Sequence, residues 1–417
     1  MTAAQLSIHF FIQMAVIIAA ARAIGWVAHR YLGQPQVVGE MIAGVLLGPS
    51  ILGWLAPGLE AALFPPETKK VLFVGAQLGV GLYMFLVGLT FDRREFSENA
   101  RSAAAVSVAG MVAPFAVAAL MIPWIMNVGG LFTPQVESWQ AILFLGAAIA
   151  ITAFPMLARI IHERGIAGTK LGTLSLSAGA IGDAGAWAVV ALVLASLGAG
   201  AHVALLAIGG GLSFALFMVW VAPRLLMPLG QLAAREGAGD KVIAITLILF
   251  LLSAFAMDAV GIHAVFGGFL LGTAMPRGRL TEELRARLEP FTVVFLLPMF
   301  FTYSGLNTEL LVVNSADLIL VTVAILAASI LAKGGASYLG ARLSGQDHAT
   351  AMGIGALMNA RGLMELIIIN IGLQRGIITP ALFAMLVVMA IVTTLMASTL
   401  FELFYGRAAR ARGDLAR

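Results

Sequence analysis

The stretch Ser177-Ala-Gly-Ala-Ile-Gly-Asp183-Ala-Gly-Ala-Trp187 places one carboxylate inside an apolar run from about Leu171 to Leu197. A run of this length is long enough to cross a bilayer as one helix. An aspartate at the centre of such a helix costs roughly 2.5–3.5 kcal/mol to insert. The residues one helical turn from Asp183 are small, which leaves room for water or an ion. We favour a role in ion binding or proton relay over a purely structural hydrogen bond, because ionisable residues inside membranes usually mark such pathways.

The composition of the whole chain is that of an integral membrane protein. Of its 417 residues, 60% are hydrophobic and 11% are charged, and the mean hydropathy is +0.98. Soluble domains contain about 25% charged residues. The sequence has no cysteine, which excludes disulfides, thiolate metal sites and a cysteine nucleophile. No cofactor is predicted, and the first apolar stretch is interpreted as a retained helix because it lacks a basic leader and a clear cleavage site.

Hydropathy predicts an all-α polytopic fold with about thirteen transmembrane helices. The predicted spans cover approximately residues 5–28, 36–56, 70–90, 103–126, 139–161, 171–197, 202–225, 241–258, 262–276, 290–312, 317–341, 348–373 and 379–404. With the N-terminus outside, 19 of the 25 Lys and Arg residues fall in inside segments. This asymmetry follows the positive-inside rule and predicts a cytoplasmic C-terminus, in a membrane of the bacterial inner (plasma) type. The basic residues therefore do not indicate a nucleic-acid surface.

Two predicted spans contain residues that interrupt a helix. Pro155 lies within the fifth span, and Asn359, Arg361 and Glu365 lie within the twelfth. Broken helices at membrane depth occur where the backbone faces protein or a wet cavity. A matched pair in the two halves of a chain is typical of a transporter's binding site. Spans 2–6 and 9–13 are therefore predicted to form an inverted repeat in which spans 5 and 12 correspond.

Lys333 lies well inside the eleventh span, with Ser329 and Ser337 on its helical face. We predict that Lys333 pairs with Asp183, with snorkelling to an interface as the minor alternative. An ammonium near a carboxylate favours both charged forms, whereas burial opposes them. Such a pair can release a proton when a cation replaces the ammonium beside the carboxylate. A site that binds H⁺ or transiently binds Na⁺ or K⁺, but never both, is the minimum needed for antiport.

The other polar residues of the broken spans each have two interpretations. Thr152 and the carbonyls before Pro155 are hard oxygen ligands suited to alkali cations, although a threonine inside a helix also bonds its own backbone. Asn359 has the same two interpretations. Arg361 and Glu365 are four residues apart and are predicted to form an intrahelical pair, for which a structural role is at least as reasonable as a transport role.

Two further ionisable residues are weaker candidates. Glu40, near the cytoplasmic end of span 2, either lines an inward funnel or makes a structural hydrogen bond, and we favour the hydrogen bond. His263, at the outer end of span 9, has the side chain that best senses pH near neutrality. A single histidine is more often a packing residue, and we favour packing.

Several motifs are spread over nearly the whole chain. They are Gln34-Pro-Gln-Val-Val-Gly-Glu40 with Gly48-Pro-Ser-Ile-Leu-Gly53, Phe85-Leu-Val-Gly-Leu-Thr-Phe-Asp92, Thr152-Ala-Phe-Pro155, Gly261-Ile-His-Ala-Val-Phe-Gly-Gly-Phe-Leu270, Ser304-Gly-Leu306 and Asn359-Ala-Arg-Gly-Leu-Met-Glu-Leu366. In this order they resemble the monovalent cation:proton antiporter-2 family, the Kef and plant cation/H⁺ exchanger branch of the sodium/hydrogen exchanger fold.

The resemblance implies a thirteen-span homodimer with crossed broken helices at spans 5 and 12 and an elevator-like movement. It implies a core ion-translocation subdomain of about residues 100–200 and 314–405, a dimerisation subdomain of about 1–95 and 236–313, and a linker helix of about 202–235. Asp183 falls on the family's ion-binding aspartate. Lys333 falls on the basic residue of span 11.

The chain departs from the family pattern at Gly182, where members carry Asp, Asn or Gln. We therefore predict electroneutral exchange of one cation for one proton, with Asp183 as the only carboxylate carrier. The sequence ends at Arg417, soon after the last predicted span, and we expect no C-terminal cytoplasmic regulatory domain.

Three other classes of protein are weighed against an antiporter. The first is a sodium-coupled symporter of an organic anion on a related inverted-repeat fold, in which Lys333 would occupy space near the site. An intramembrane aspartyl protease needs a second carboxylate, and the segment Gly179-Ala-Ile-Gly182-Asp183 is one residue longer than its Gly-x-Gly-Asp motif. A channel is disfavoured because the sequence shows no repeated filter loop.

Overall fold

A computed structural model describes residues 2–91, 93–194, 202, 205–237, 239–306 and 315–412. Within these ranges the chain is helical, apart from an antiparallel β-bridge between Phe132 and Ile378. Several predicted features lie outside the described residues: Asp92, the end of span 6 after residue 194, residues 307–312 of span 10, and the C-terminal Arg417.

The helices follow one another with short connections. They are α1 (Ala3–Leu32), α2 (Gln36–Leu47), α3 (Leu52–Leu55), α4 (Pro57–Leu63), α5 (Pro66–Thr90), α6 (Arg93–Val128), α7 (Ser138–Ala150), α8 (Phe154–Glu163), α9 (Lys170–Leu194), α10 (Gly211–Trp220), α11 (Ala222–Glu236), α12 (Asp240–Ala259), α13 (Ala264–Ala274), α14 (Arg279–Phe291), α15 (Leu297–Leu306), α16 (Ala316–Ser329), α17 (Ala336–Leu343), α18 (His348–Leu357), α19 (Leu363–Gln374), α20 (Pro380–Phe401) and α21 (Arg407–Arg412). Segments of π-helix at Leu206–Gly210, Thr292–Leu296, Ile330–Gly335 and Glu402–Gly406 continue helices without a break.

Side chains and glycine set several helix ends. Thr2 and Gln5 form a capping box at the start of α1, and Gly33 ends α1 with a φ of 61°, which favours glycine. Asp347 caps α18 by accepting a hydrogen bond from Thr350 N at 3.0 Å. The boundaries therefore follow local sequence signals even where the helix interiors are uniformly apolar.

Each of the thirteen predicted spans coincides with at least one helix. Among the described residues, seven helices are long and apolar enough to cross a membrane. A bent pair of helices, Leu206–Trp220 and Ala222–Arg235, raises that number to eight if it counts as one crossing. The protein therefore has several apolar helices of membrane-spanning length, and the number thirteen stays a prediction.

The predicted linker helix is bent rather than straight. Its two parts, Leu206–Trp220 and Ala222–Arg235, meet at an angle of 46°. Pro223 lies in the first turn after the bend and has no N–H to donate to the preceding turn. The proline thus accounts for a bend that the hydropathy profile does not reveal.

The helices pack in two groups, and the larger buried cluster also includes residues of the first group where the two meet. In the first group, α5 packs against α13 and α15, and α2 packs against α1 and α15. Its buried cluster draws on residues 14–89 and 218–306. In the second group, α6 packs against α7, α9 and α17, and α18 packs against α17 and α20. Most of the larger buried cluster belongs to this second group.

Two helices of the first group cross at glycines. A Cβ atom on Gly44 of α2 would clash with the backbone of Phe301, and one on Gly305 of α15 would clash with the backbone of Gly44. Backbone atoms at a helix crossing have little freedom to move aside. Close approach of α2 and α15 therefore requires these glycines.

Gly305→Ala is expected to lower the melting temperature of the purified protein clearly, since overpacking typically costs about 1–3 kcal/mol. Gly209→Ala is the matched control, because nothing lies within 4 Å of an added Cβ at that helical position. The control should leave the melting temperature unchanged or raise it slightly. Thermal unfolding in detergent measures both variants, and equal melting temperatures would contradict the predicted clash.

Candidate functional site

Two broken helices lie beside each other in the second group. The first consists of α7, which ends at Ala150, and α8, which begins at Phe154. The second consists of α18, which ends at Leu357, and α19, which begins at Leu363. Both interruptions fall within the spans where the sequence predicts them.

The two connecting segments are hydrogen-bonded to each other. Ala153 N donates to Ala360 O at 3.0 Å, and Thr152 Oγ1 donates to Met358 O at 3.1 Å. Asn359 Nδ2 donates to its own helix, at Gly355 O, at 3.0 Å. The two breaks are therefore in direct contact, and donors of the first satisfy carbonyls that the second exposes.

The first break precedes Pro155 instead of being caused by it. Pro155 is the second residue of α8, where an N–H would have no partner within the helix. Extended backbone at Ile151 and Ala153 ends α7 before the proline is reached. The residue that the sequence suggests as a helix breaker is thus part of a helix start.

Two cations cap the C-terminal end of α7, one from the second break and one from the π-helical segment Ile330–Gly335. Arg361, which is fully buried, donates from Nη1 to Ala148 O and from Nη2 to Ile149 O, both at 2.7 Å. Lys333, 2% exposed, donates from Nζ to Ala150 O. The last carbonyls of a helix lack partners and form the negative end of its dipole, so cations satisfy both needs. Three of the carbonyls before the break are therefore bonded to the protein's own cations.

Arg361 and Glu365 form an ion pair, but the prediction that it is intrahelical is wrong, because Arg361 lies in the break before α19 begins at Leu363. Arg361 Nη1 lies 3.3 Å from Glu365 Oε1, and neither side chain is exposed. The backbone N–H of Arg361 donates to Thr394 Oγ1 of α20 at 2.9 Å. Glu365 lies in the first turn of α19, where the positive end of the helix dipole favours a carboxylate. These contacts tie the second break to the first break and to α20, which supports the structural interpretation.

Asp183 lies in the interior of α9 and has no exposed surface. Its carboxylate faces the backbone N–H of Phe154, at the positive end of α8, and lies in the electrostatic field of Lys333. The Phe154 N–H lies near the carboxylate without reaching hydrogen-bonding geometry, and no other donor in the described part of the chain reaches it with either oxygen. The surroundings thus offset the negative charge and leave both oxygens available to a proton or a cation.

The relation between Asp183 and Lys333 is electrostatic rather than a direct bond. The Lys333 ammonium interacts electrostatically with Asp183, Arg361 and Glu365, but its hydrogen bond goes to Ala150 O. A sequence cannot reveal this choice, because the competing acceptor is a backbone carbonyl that becomes free only where α7 ends.

Glu40 lies in a different buried charge cluster. It accepts a hydrogen bond from Gln36 Nε2 at 3.2 Å and faces Arg159 of α8. Arg159 pairs with Glu163 at 2.6 Å, and Glu163 Oε2 accepts from Val37 N at 3.3 Å. The hydrogen bond favoured for Glu40 is present. The sequence gives little indication that Arg159 and Glu163 join Glu40 in this cluster, because they resemble ordinary charges at the end of a helix.

His263 caps a helix. Its Nδ1 accepts from Val265 N at 3.3 Å at the start of α13, and the side chain is buried. This contact supports the packing interpretation over pH sensing.

Comparison with known proteins gives consistent matches. The model of the family described as sodium/hydrogen exchanger, transmembrane, matches residues 16–405. The chain is 38% identical over 400 residues to Na(+)/H(+) antiporter NhaS4 of Synechocystis sp., covering 94% of this chain and 95% of that protein. It is 32% identical over 417 residues to Cation/H(+) antiporter 18 of Arabidopsis thaliana, covering 97% of this chain and 50% of that protein.

A solved structure shares the fold. The sodium proton antiporter MjNhaP1 from Methanocaldococcus jannaschii at pH 8 superposes with a TM-score of 0.63 at 13% sequence identity, covering 94% of this chain and 96% of that one. The family match gives no support to the intramembrane protease alternative. Because the family model spans almost the whole chain, and a relative of the same length is more than a third identical, the chain belongs to the sodium/hydrogen exchanger family of membrane transporters.

Proposed function

We propose that the chain is a secondary active antiporter that exchanges a monovalent cation, Na⁺ or K⁺, for H⁺. Its relatives described above are named as Na⁺/H⁺ and cation/H⁺ antiporters. The observation that carries the proposal is the fully buried Asp183 carboxylate, whose two oxygens have no hydrogen-bond partner within the described ranges. A buried carboxylate of this kind attracts a proton or a cation, since isolated charge is costly at membrane depth.

Competition at Asp183 provides the exchange. The carboxylate is neutralised either by a proton or by a monovalent cation, and each ligand excludes the other. Phe154 N–H and Lys333 stabilise the ionised carboxylate while one ligand leaves and the other arrives. Thr152 and Asn359, which lie in the two breaks, are candidate oxygen ligands of the cation. Asn359 Oδ1 is available for this role because it has no hydrogen-bond partner among the residues described.

Alternating access is proposed to follow an elevator-like movement of the second helix group against the first, within a homodimer. The first group would form the dimerisation subdomain, the second would form the core, and α10 and α11 would link them. A cavity of about 690 Å³ separates α9 from α10 and α13, and its lining includes Ala184 and Gly185 next to Asp183. The small apolar side chains of α9 that line this cavity would offer little resistance when the two helix groups slide past each other. The N-terminus would lie outside and the C-terminus in the cytoplasm.

Exchange is proposed to be electroneutral, with one cation for one proton. Gly182 provides no second ligand beside Asp183, and Glu365 is occupied by Arg361. Proteoliposomes on a sensor surface should therefore show no sizeable current when a cation gradient is applied. A sizeable current with the expected cation specificity would contradict this stoichiometry.

The decisive experiment uses purified protein in liposomes that contain a pH-sensitive dye. A proton gradient is imposed, and Na⁺, K⁺ or Li⁺ is added in turn. Collapse of the gradient by at least one cation is expected and identifies the substrate. If no alkali cation moves protons under any condition, the antiporter proposal fails. Na⁺-dependent uptake of organic anions would then test the symporter alternative.

A further inference from the structure

A small polar space lies around the Lys333 ammonium, bounded by two glycines on neighbouring helices. A Cβ atom on Gly182 of α9 would lie 3.4 Å from Ser107 Oγ and 3.9 Å from Lys333 Nζ. A Cβ atom on Gly110 of α6 would lie 2.6 Å from Ser337 Oγ and 3.7 Å from Lys333 Nζ. At position 182 a side chain would therefore fit beside the Ser107 hydroxyl and the ammonium, whereas at position 110 the Ser337 hydroxyl already occupies the place of a Cβ atom.

The two serine hydroxyls that face this space have no partner. Ser107 is 3% exposed and Ser337 is not exposed, and neither Oγ atom has a hydrogen bond within the part of the chain that the structure describes. Buried hydroxyls elsewhere in this protein, such as those of Ser177 and Thr246, donate to the carbonyl four residues earlier in their own helix. Ser107 and Ser337 depart from that pattern, as do Ser175, Ser329 and Thr302, and a buried polar atom without a partner is costly.

The Lys333 ammonium also needs more partners than it has. An ammonium carries three donors, and the hydrogen bond to Ala150 O uses one of them. Internal water is held where buried polar groups converge on a polar space. The Ser107 hydroxyl and the ammonium provide two such partners.

We propose that a water molecule lies against the Lys333 ammonium in the space left by the missing side chain at Gly182, hydrogen-bonded to the Ser107 hydroxyl. This proposal rests on the proposed antiport function. Ser107 is then a positioning residue for the transport site, because it acts on Asp183 through Lys333.

The proposal predicts the direction of a change in transport. Without the Ser107 hydroxyl, the ammonium loses a hydrogen-bonded neighbour and stabilises ionised Asp183 less. A proton on Asp183 is then held more tightly, and a competing cation must displace it. Ser107→Ala should raise the half-saturating cation concentration about tenfold, the size expected for one hydrogen bond to a charged group. The pH profile of activity should shift to higher pH.

A rescue variant distinguishes this role from a structural one. Ser107→Ala combined with Gly182→Ser places a hydroxyl back into the same space from α9, because the added Cβ points toward Ser107 Oγ and Lys333 Nζ. The double variant should recover the half-saturating concentration and the pH profile, and Ser107→Thr should retain both. Thr246→Val is the matched control and should change neither, because the Thr246 hydroxyl bonds its own helix.

The assay is cation-dependent proton movement in proteoliposomes, measured across pH and cation concentration. Absence of activity in the unmodified protein would defeat the antiport proposal. Normal activity in the unmodified protein, with an unshifted half-saturating concentration and pH profile in Ser107→Ala, would overturn the role of Ser107. If Ser107→Ala does not fold, Gly182→Ala replaces it, since the added Cβ atom takes the place of the water beside Ser107 Oγ and Lys333 Nζ, and it should shift both quantities in the same direction.

Discussion

Asp183→Asn is expected to reduce cation-dependent proton movement to the level of protein-free liposomes. The amide has nearly the same shape as the carboxylate, but it does not ionise, so it cannot take up and release the transported proton. The fold should persist, because no donor among the described residues bonds the carboxylate, and a neutral amide is cheaper to bury than a charge. Loss of transport without loss of folding is the signature of a carrier residue.

The matched control for this change is Asp317→Asn. Asp317 lies exposed in the first turn of α16, on the surface, whereas Asp183 is fully buried. The Asp317→Asn variant should transport at the rate of the unmodified protein, once rates are normalised to the monodisperse fraction in size-exclusion chromatography. Transport by Asp183→Asn at that same rate would show that Asp183 is not the carrier.

Arg361→Met is expected to cause the largest loss of stability, about 3–5 kcal/mol. The change leaves the Glu365 carboxylate buried without its cation and removes the donors to Ala148 O and Ile149 O. Melting temperature and yield of monodisperse protein measure the effect. The double variant Arg361→Met with Glu365→Leu should recover part of the loss, because it removes the stranded charge.

An exposed pair of the same spacing serves as the control. Arg279 and Glu283 of α14 are also four residues apart and lie 2.6 Å from each other, but the Arg279 side chain is 57% exposed. Arg279→Met should change stability by about 0.5 kcal/mol or less. A melting temperature of Arg361→Met equal to that of Arg279→Met would refute the structural role of the buried pair.

The fold could be predicted from local properties of the sequence to a large extent. The thirteen apolar stretches all coincide with helices, and the interruptions at Thr152-Ala-Phe-Pro155 and at Asn359-Ala-Arg-Gly fall where the structure has them. Hydropathy and the positions of charges within apolar runs depend only on the order of residues. They can therefore be evaluated without knowing which residues are neighbours in space. The cause of the first interruption was predicted less well, because a proline in the second position of a helix looks the same in sequence as one in the middle.

The residues of the candidate site also fall into two sets, those that the sequence indicates and those that only the packing of the helices reveals. Asp183, Lys333, Arg361 and Glu365 stand out because each places a charge inside an apolar run. Ser107 does not stand out, because serine is common in membrane helices. Its position opposite Gly182 depends on how α6 and α9 pack. Arg159 likewise becomes notable only because α8 packs beside Glu40.

Residue order along the chain was enough to indicate a helical membrane transporter, to locate the two breaks near Pro155 and Asn359, and to single out Asp183 within a span. The partners of the buried charges became visible only in the folded chain: Lys333 bonds Ala150 O, Arg361 bonds Ala148 O and Ile149 O, and Asp183 faces Phe154 N–H. Burial of a charge follows from the composition of its own apolar segment. The groups that satisfy that charge come from broken ends of helices distant in the chain, and packing alone brings them together.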